Sequence, residues 1–153
     1  MYKRQVLSYH YEPQDELLEM RLMFEPAVAR VAATRVTDED VADLERILDA
    51  QRRKLRTGRS ALAEVTAFHH VVARATRNRV VVSIMATLND LLVESRKLRL
   101  KQKGRPGRSI LGHEAIVAAL RQRDAGAAAE AMREHLDQIS GLLRHASTSV
   151  RHG

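Results

Sequence analysis

Apolar residues along the chain recur at spacings of three and four, the period of an α-helix that buries one face. Six such stretches are predicted, beginning near Pro13, Thr37, Ser60, Arg79, Ser109 and Asp124. No stretch shows the apolar–polar alternation of a half-buried strand. The short connections between successive helices favour antiparallel neighbours. The pattern therefore predicts an all-α fold, a single antiparallel bundle of about six helices.

The same spacing predicts which side chains face inward. The first helix, ending near residue 35, is expected to bury Leu17, Met20, Phe24, Val28 and Val31. The fourth helix, ending near residue 100, is expected to bury Val81, Ile84, Leu88, Leu91 and Leu98. Thr37 and Asp40 have the spacing of a capping box, and Ser109 and Asp124 are predicted caps. Asn78 is read as the stop of the third helix.

The predicted bundle covers residues 15–146. Residues 1–14 have no helical period, and Met-Tyr-Lys-Arg-Gln resembles a translated sequencing adapter, so we expect an irregular and artefactual N-terminus. Residues 147–153 are predicted to form a disordered tail.

Composition limits the available chemistry. The chain contains 0 cysteines, which excludes disulfides, thiolate metal ligands and a thiol nucleophile, so a transition metal must use histidine and carboxylate ligands. The longest apolar run, 80–88, is too short to cross a bilayer, and no secretory signal is present. We therefore expect a cytoplasmic protein without a membrane partner.

The formal net charge is +7, and much of the excess lies in one segment. Its members are Arg96, Lys97, Arg99, Lys101, Lys103, Arg105 and Arg108. The favoured interpretation is a helix end running into a solvated loop, with phosphate contact as the alternative. No aromatic residues are interleaved, so a base-stacking surface is not expected.

Three histidines occupy inward positions on three different predicted helices. They are His69, His113 and His135, whereas His70 is rotated by about 100° from its neighbour. A single histidine on an apolar face is usually a core residue whose ring nitrogens are satisfied locally. For three histidines on separate helices this core-residue interpretation weakens, and a metal site inside the bundle becomes the alternative, because neutral imidazoles bind Zn, Ni, Cu and Fe.

Several spaced motifs resemble the FadR C-terminal (FCD) domain, the effector-binding half of one branch of the GntR transcription regulators. They are the helix from Glu19 to Pro26 with the alanines at 29–33, the pair Phe68-His69 followed by Asn78, and the segment from His113 to Leu136. The resemblance covers about residues 17–144. It implies a helical bundle, a homodimer, and a divalent metal, zinc or nickel, held by one Asp and three His that binds a small organic acid.

Carried onto this chain, the family histidines fall on His69, His113 and His135, and the family aspartate falls on Val65. Glu64 is adjacent to Val65 but is rotated by about 100°. We therefore expect at most three protein ligands, with water or an effector oxygen completing the site.

Arg21 is the candidate for a second contact with the effector carboxylate, because arginine grips carboxylates with two hydrogen bonds. The alternative is that Arg21 pairs with Glu25, one helical turn away. DNA binding would require a winged helix-turn-helix that residues 1–14 cannot supply. The sequence thus predicts an effector-sensing domain and no enzyme. The alternatives left open are a three-histidine metalloenzyme and a metal-free helical scaffold whose basic loop contacts nucleic acid.

Overall fold

The structure is a computed structural model that describes the backbone of residues 13–150 and the side chains of residues 15–139. This part of the chain forms α1 (Pro13–Arg35), α2 (Asp38–Arg56), α3 (Leu62–Ala75), α4 (Arg79–Leu100), α5 (Arg105–Arg121) and α6 (Ala125–Val150). No strand occurs among these residues. The predicted all-α bundle of about six helices is confirmed. The segment predicted to be irregular and artefactual, 1–14, lies outside the described residues except for its last two, which already belong to α1.

Polar side chains cap several helices. Thr37 Oγ1 accepts a hydrogen bond from the backbone N–H of Asp40 at 3.2 Å, and the Asp40 carboxylate accepts one from the Thr37 N–H at 3.0 Å. This is the predicted capping box. Asp124 accepts a backbone hydrogen bond at 3.0 Å in the first turn of α6, also as predicted. Asn78 caps the start of α4, where its Oδ1 accepts two backbone hydrogen bonds at 3.0 and 3.2 Å, rather than stopping α3.

Two helix ends differ from the prediction. α5 begins at Arg105 and not at Ser109, because Gly104 adopts a left-handed φ of 79° that turns the chain into the helix one turn earlier. Ser109 is therefore a buried residue inside α5 and not a cap. At the other end, α6 continues to Val150, past residue 147, where the disordered tail was expected to begin.

α1 is the helix around which much of the bundle is arranged. It lies along α6 and also contacts α3, α4 and α5. Alanines without solvent exposure lie on its inner face, at 29, 32 and 33, and Ala128 of α6 is likewise fully buried. Small side chains permit a short distance between helix axes. Polar residues of α1 therefore come within reach of side chains from several other helices.

The inward face of α1 is rotated relative to the prediction. Met20 and Val31 are 37% and 38% exposed, whereas Arg21 and Glu25 are 1% and 0% exposed. The expected stripe was therefore wrong at two positions. The physical reason is that a charged pair takes the place of apolar residues on the face that meets the bundle interior.

The inward face of α4 is also rotated. Ile84, Leu91 and Leu98, predicted to be buried, are 39%, 42% and 59% exposed. Leu88 is buried as predicted, and α4 also buries Met85, Asn89, Leu92, Arg96 and Arg99. The helix thus directs two arginines inward and leaves apolar side chains at the surface. These apolar residues do not amount to a membrane span, since none of the described helices is apolar over a sufficient length.

Candidate metal centre and anion pocket

The three predicted histidines lie next to one another in the bundle interior. His69 comes from α3, His113 from α5 and His135 from α6, and one ligand nitrogen from each lies within 4.8 Å of the other two. Their ring centroids are 4.8 to 5.8 Å apart. The residues are 1%, 0% and 4% exposed, respectively. His70 does not belong to this group. The fold thus brings together three imidazoles that are separated by up to 66 positions in the sequence.

Close packing of α5 against its neighbours orients two of the rings. The His135 ring rests on α5 at Gly112, where a Cβ atom would lie only 2.2 Å from Nδ1 of His135. Phe68 stacks on His113 with a centroid distance of 3.9 Å and an interplanar angle of 6°. A residue larger than glycine at 112 would displace the His135 ring.

A hydrogen-bond chain from α2 fixes the tautomer of His113. Gln51 Nε2 donates to Ser109 Oγ at 3.1 Å, so Gln51 Oε1 faces the ring and accepts from Nδ1 of His113 at 2.9 Å. Nε2 of His113 is buried and has no hydrogen-bond partner. The free lone pair on Nε2 is the arrangement that metal-binding histidines use, with the other ring nitrogen bound to an outer oxygen.

His69 has a carboxylate beside its other ring nitrogen. Glu25 Oε1 lies 2.6 Å from Nδ1 of His69, although the contact is too bent for a normal hydrogen bond, and the second Glu25 oxygen accepts from Nε of Arg21. Burial raises the pKa of Glu25, but the charge of Arg21 and the contact with His69 outweigh this and hold the pKa well below its usual value. Glu25 is thus a carboxylate, and Nε2 of His69 is buried without a partner.

All three rings are neutral at neutral pH. Burial lowers the pKa of His69 to about 4, and it also lowers the pKa values of His113 and His135 well below the ordinary one. A neutral imidazole with a free lone pair is the form that binds Zn or Ni. Ligand nitrogens around tetrahedral zinc are about 3.4 Å apart. The nitrogens of this site are no more than 4.8 Å apart, and a set of three neutral imidazoles is a donor set that fits such a metal.

Among the described side chains, no carboxylate joins the three histidines as a fourth member of the cluster. Val65, at the position of the family aspartate, is buried and lines the same cavity as His69. Glu64 points away, with Lys54 Nζ 3.2 Å from its carboxylate, in agreement with the expected rotation. A bound metal would therefore have three protein ligands and an open position, as catalytic and ligand-binding zinc sites do.

A small cavity adjoins the histidines, with room for about one water molecule. Its lining includes His69, His135, Val65 and Ser109, together with Arg21, Arg96, Arg99 and Arg105. No carboxylate belongs to the lining, because Glu25 lies behind Arg21 and His69. The cavity is therefore positive, and four of its polar lining residues are arginines, which donate hydrogen bonds.

The interpretation of the basic segment as a solvated loop was wrong for three of its seven members. Arg96, Arg99 and Arg105 are 3%, 7% and 5% exposed and line the cavity. Lys97, Lys101, Lys103 and Arg108 are exposed, as expected. Burial, followed by repulsion from Arg21, lowers the pKa of Arg96 and Arg99 to about 9 and that of Arg105 to about 10. All three remain cationic at neutral pH.

The sequence did not predict the roles of Gln51 and Gly112, nor that Arg96, Arg99 and Arg105 turn inward. For α4 a signal existed, since Asn89, Leu92, Arg96 and Arg99 have helical spacing. This spacing did not predict a buried face, because arginine is usually a surface residue. For Gln51 and Gly112 no local signal exists, because their roles depend on contacts with other helices.

Comparisons with known proteins agree with this architecture and with the sequence motifs. The chain is 30% identical over 129 residues to the HTH-type transcriptional repressor NanR of Cronobacter sakazakii, an alignment that covers 79% of this chain and 47% of the repressor. It is 27% identical over 148 residues to the Uxu operon regulator of Haemophilus influenzae, which covers 89% of this chain and 56% of that regulator. The chain thus spans about half the length of the curated relatives it matches.

Two solved structures share the fold. Streptococcus agalactiae GntR superimposes with a TM-score of 0.73 at 23% identity, covering 87% of this chain and 62% of the other. E. coli McbR/YncC gives a TM-score of 0.77 at 16% identity, with 90% and 67% covered. The family model of the FCD domain matches residues 16–138, which include the three histidines, Val65 and Arg21. The chain belongs to the FCD domain family, as its spaced motifs predicted.

Proposed function

We propose that this chain is the effector-sensing domain of a GntR-type transcription regulator, which binds a small organic acid through a divalent metal held by His69, His113 and His135. One observation carries the proposal. Nε2 of His69 and Nε2 of His113 are buried without partners, while the other nitrogen of each ring faces an oxygen of Glu25 or Gln51. Burying two unpaired nitrogens is unfavourable unless a ligand satisfies them.

A metal at this site, zinc or nickel, supplies a Lewis acid that coordinates a carboxylate oxygen. The surrounding residues orient the ligand. Gln51 and Glu25 hold two histidine rings in place, and Val65 leaves the position of the family aspartate without charge. An anionic effector then supplies the negative charge that the protein lacks.

Arg21 contributes to the effector site in this proposal. The sequence left two alternatives, an effector contact or a pair with Glu25, and the described geometry is compatible with both. Arg21 Nε donates to Glu25, while the side chain also lines the cavity. In this proposal, the terminal guanidinium nitrogens of Arg21 bind a ligand carboxylate while Nε keeps its contact with Glu25.

The whole protein, in this proposal, is a cytoplasmic homodimer that reaches DNA through a helix-turn-helix segment, as the name of the NanR relatives indicates for them. A surface groove between α1 and α4 supports a second copy as partner. Its apolar members are Leu17, Met20, Val80, Ile84, Leu88 and Leu91. Replacing Ile84 by Glu would then yield monomers in sedimentation velocity. An unchanged dimer would place the interface elsewhere.

Catalysis is not favoured by the site. A hydrolytic metal centre needs a general base beside the metal-bound water. No Asp or Glu lines the described cavity, and Glu25 is engaged by Arg21 and His69. The curated relatives are transcription regulators. Ligand binding without turnover therefore suits the site better than the metalloenzyme alternative, and the buried arginines do not suit a scaffold that contacts nucleic acid.

Elemental analysis of the protein purified without chelator tests the proposal. Wild type is expected to carry one metal per chain, and His113→Ala and His135→Ala are expected to lose it. His70→Ala is the matched control, because His70 neighbours His69 but lies outside the cluster. Thermal-shift screening of small carboxylates should give a rise in Tm that disappears with EDTA. Equal metal content in wild type and both cluster variants would refute the site.

A further inference from the structure

Three buried arginines beside the histidine cluster have no acidic partner among the described residues. Arg96 Nη1 donates to Asn89 Oδ1 at 2.8 Å and to Thr66 Oγ1 at 3.3 Å. Arg99 donates to the backbone and side-chain oxygens of Ser95, at 3.2 and 2.8 Å. Arg105 takes part in none of the ion pairs formed by the described side chains. The hydrogen-bond acceptors of Arg96 and Arg99 are thus uncharged oxygens.

Such an arrangement requires an anion. Each of the three residues is more than nine-tenths buried, and Nη2 of Arg96 is buried without any hydrogen-bond partner. A buried charge that lacks a counter-charge is strongly destabilising. Guanidinium groups bind carboxylate and phosphate oxygens with paired hydrogen bonds. The three side chains line one cavity together with His69 and His135, so one ligand can reach both groups.

We propose that Arg96, Arg99 and Arg105 form a second anion-binding site, which takes the distal phosphate or carboxylate of an effector whose first carboxylate lies at the histidines. The inference rests on the proposed function, because it names the ligand class of the same cavity. The effector is therefore a compact molecule with at least two anionic groups, and a monocarboxylate fills only half of the site.

A larger space lies beside this small cavity. Leu100 lines this cavity and also a neighbouring groove of about 420 Å³, whose lining includes Lys97 and Lys101. The two spaces are therefore neighbours that share Leu100 in their linings.

The arginine site is tested first without metal. Inorganic phosphate, added to the EDTA-treated protein at an ionic strength matched with chloride, is expected to raise Tm by about 4 °C at ten times its Kd. Arg99→Gln and Arg105→Gln should each abolish the rise. Arg108→Gln is the matched control, because Arg108 is exposed on the same helix as Arg105. The Gln variants should fold, because they remove a buried charge. Arg105→Lys keeps the positive charge and serves as a second variant at this position.

Matched ligand pairs then identify the second group in calorimetry on the metal-loaded protein. Malate has a carboxylate in place of the terminal methyl group of 2-hydroxybutyrate, and 3-phosphoglycerate is the phosphate ester of glycerate. The extra group should lower Kd at least about tenfold in one pair, and Arg105→Gln should remove that gain while binding of the monoanion persists. The pair that responds shows whether the second group is carboxylate or phosphate.

The two proposals fail in different ways. If metal and monocarboxylates bind but neither phosphate nor a second anionic group strengthens binding, the arginine site is refuted and the proposed function stands. It is also refuted if phosphate stabilises the Gln variants as much as wild type. If phosphate stabilises only proteins with intact Arg99 and Arg105 while no metal is found, the arginine site stands and the metal-mediated function fails.

Discussion

Replacing Gly112 by Ala tests whether the close approach of α5 and α6 holds the His135 ring in the cluster. A Cβ atom at this position would lie 2.2 Å from His135 Nδ1 and 2.9 Å from Cγ. The ring must retreat by about 1.2 Å to reach ordinary contact at 3.4 Å. Metal-ligand distances tolerate only about 0.2 Å. The substitution is therefore expected to remove His135 from the metal even if the fold adapts.

The effect on stability has two opposing parts. In a helix interior, Gly→Ala usually stabilises by roughly 0.5–1 kcal/mol. Overpacking a buried site destabilises by about 1–3 kcal/mol. We expect a net destabilisation of about 1 kcal/mol, or a fall in Tm of roughly 4 °C for a chain of this size. The control is Gly107→Ala in the same helix, where an added Cβ would meet no atom within 4 Å. Only the gain in helix propensity remains there, so Tm should rise.

Thermal unfolding in EDTA measures the stability change, and elemental analysis measures the retained metal. Gly107→Ala should keep full metal content, and Gly112→Ala should lose most of it. The reasoning would be refuted if both variants gained stability equally and bound metal like wild type. In that case the His135 ring would not be confined by α5.

Three further predictions concern the surroundings of the histidines. Val65→Asp should tighten metal binding by restoring an anionic ligand. Val65→Asn, in which the new side chain has the shape of Asp but no charge, should not tighten it. Equal metal affinities of the two variants in a chelator competition would show that position 65 does not reach the metal. Gln51→Leu leaves Nδ1 of His113 without an acceptor. This change should destabilise the protein by about 1–3 kcal/mol and weaken metal binding about 10- to 100-fold. Unchanged metal binding would exclude an orienting role for Gln51. Burial lowers the folded-state pKa of His69 from 6.5 to about 4, so the unfolded chain takes up its proton first as pH falls. The apo protein should therefore lose stability between pH 6.5 and 4, with a smaller loss in His69→Gln, as measured by denaturant unfolding; identical pH profiles would contradict the buried neutral ring.

Local sequence signals were sufficient for the helices and for the choice of histidines. The capping box of Thr37 and Asp40 and the cap at Asp124 depend on residues within one turn, and they form as predicted. His69, His113 and His135 were selected because each has the spacing of its helix's apolar face, which needs no knowledge of the other helices. For α5 the local signal misled, because Gly104 starts the helix before the better capping residue Ser109.

Other features depend on how the helices rotate against one another. On α1 and α4 the apolar period allowed two faces about one residue apart. The face that became buried carries Arg21, Glu25, Arg96 and Arg99, and not the most apolar side chains. Helix propensity and the apolar period do not contain the free energy of a buried ion pair or of an arginine that lines a cavity. That free energy comes from contacts with residues distant in sequence.

By itself, the sequence determined six helices, their family and the three imidazoles, because these follow from spacing within single segments. Tertiary structure alone decided that the imidazoles meet, that Gln51 and Glu25 face their second nitrogens, and that three arginines of the basic segment turn inward. The physical reason is that hydrogen bonding, desolvation and close packing act between side chains that only the folded bundle brings into contact.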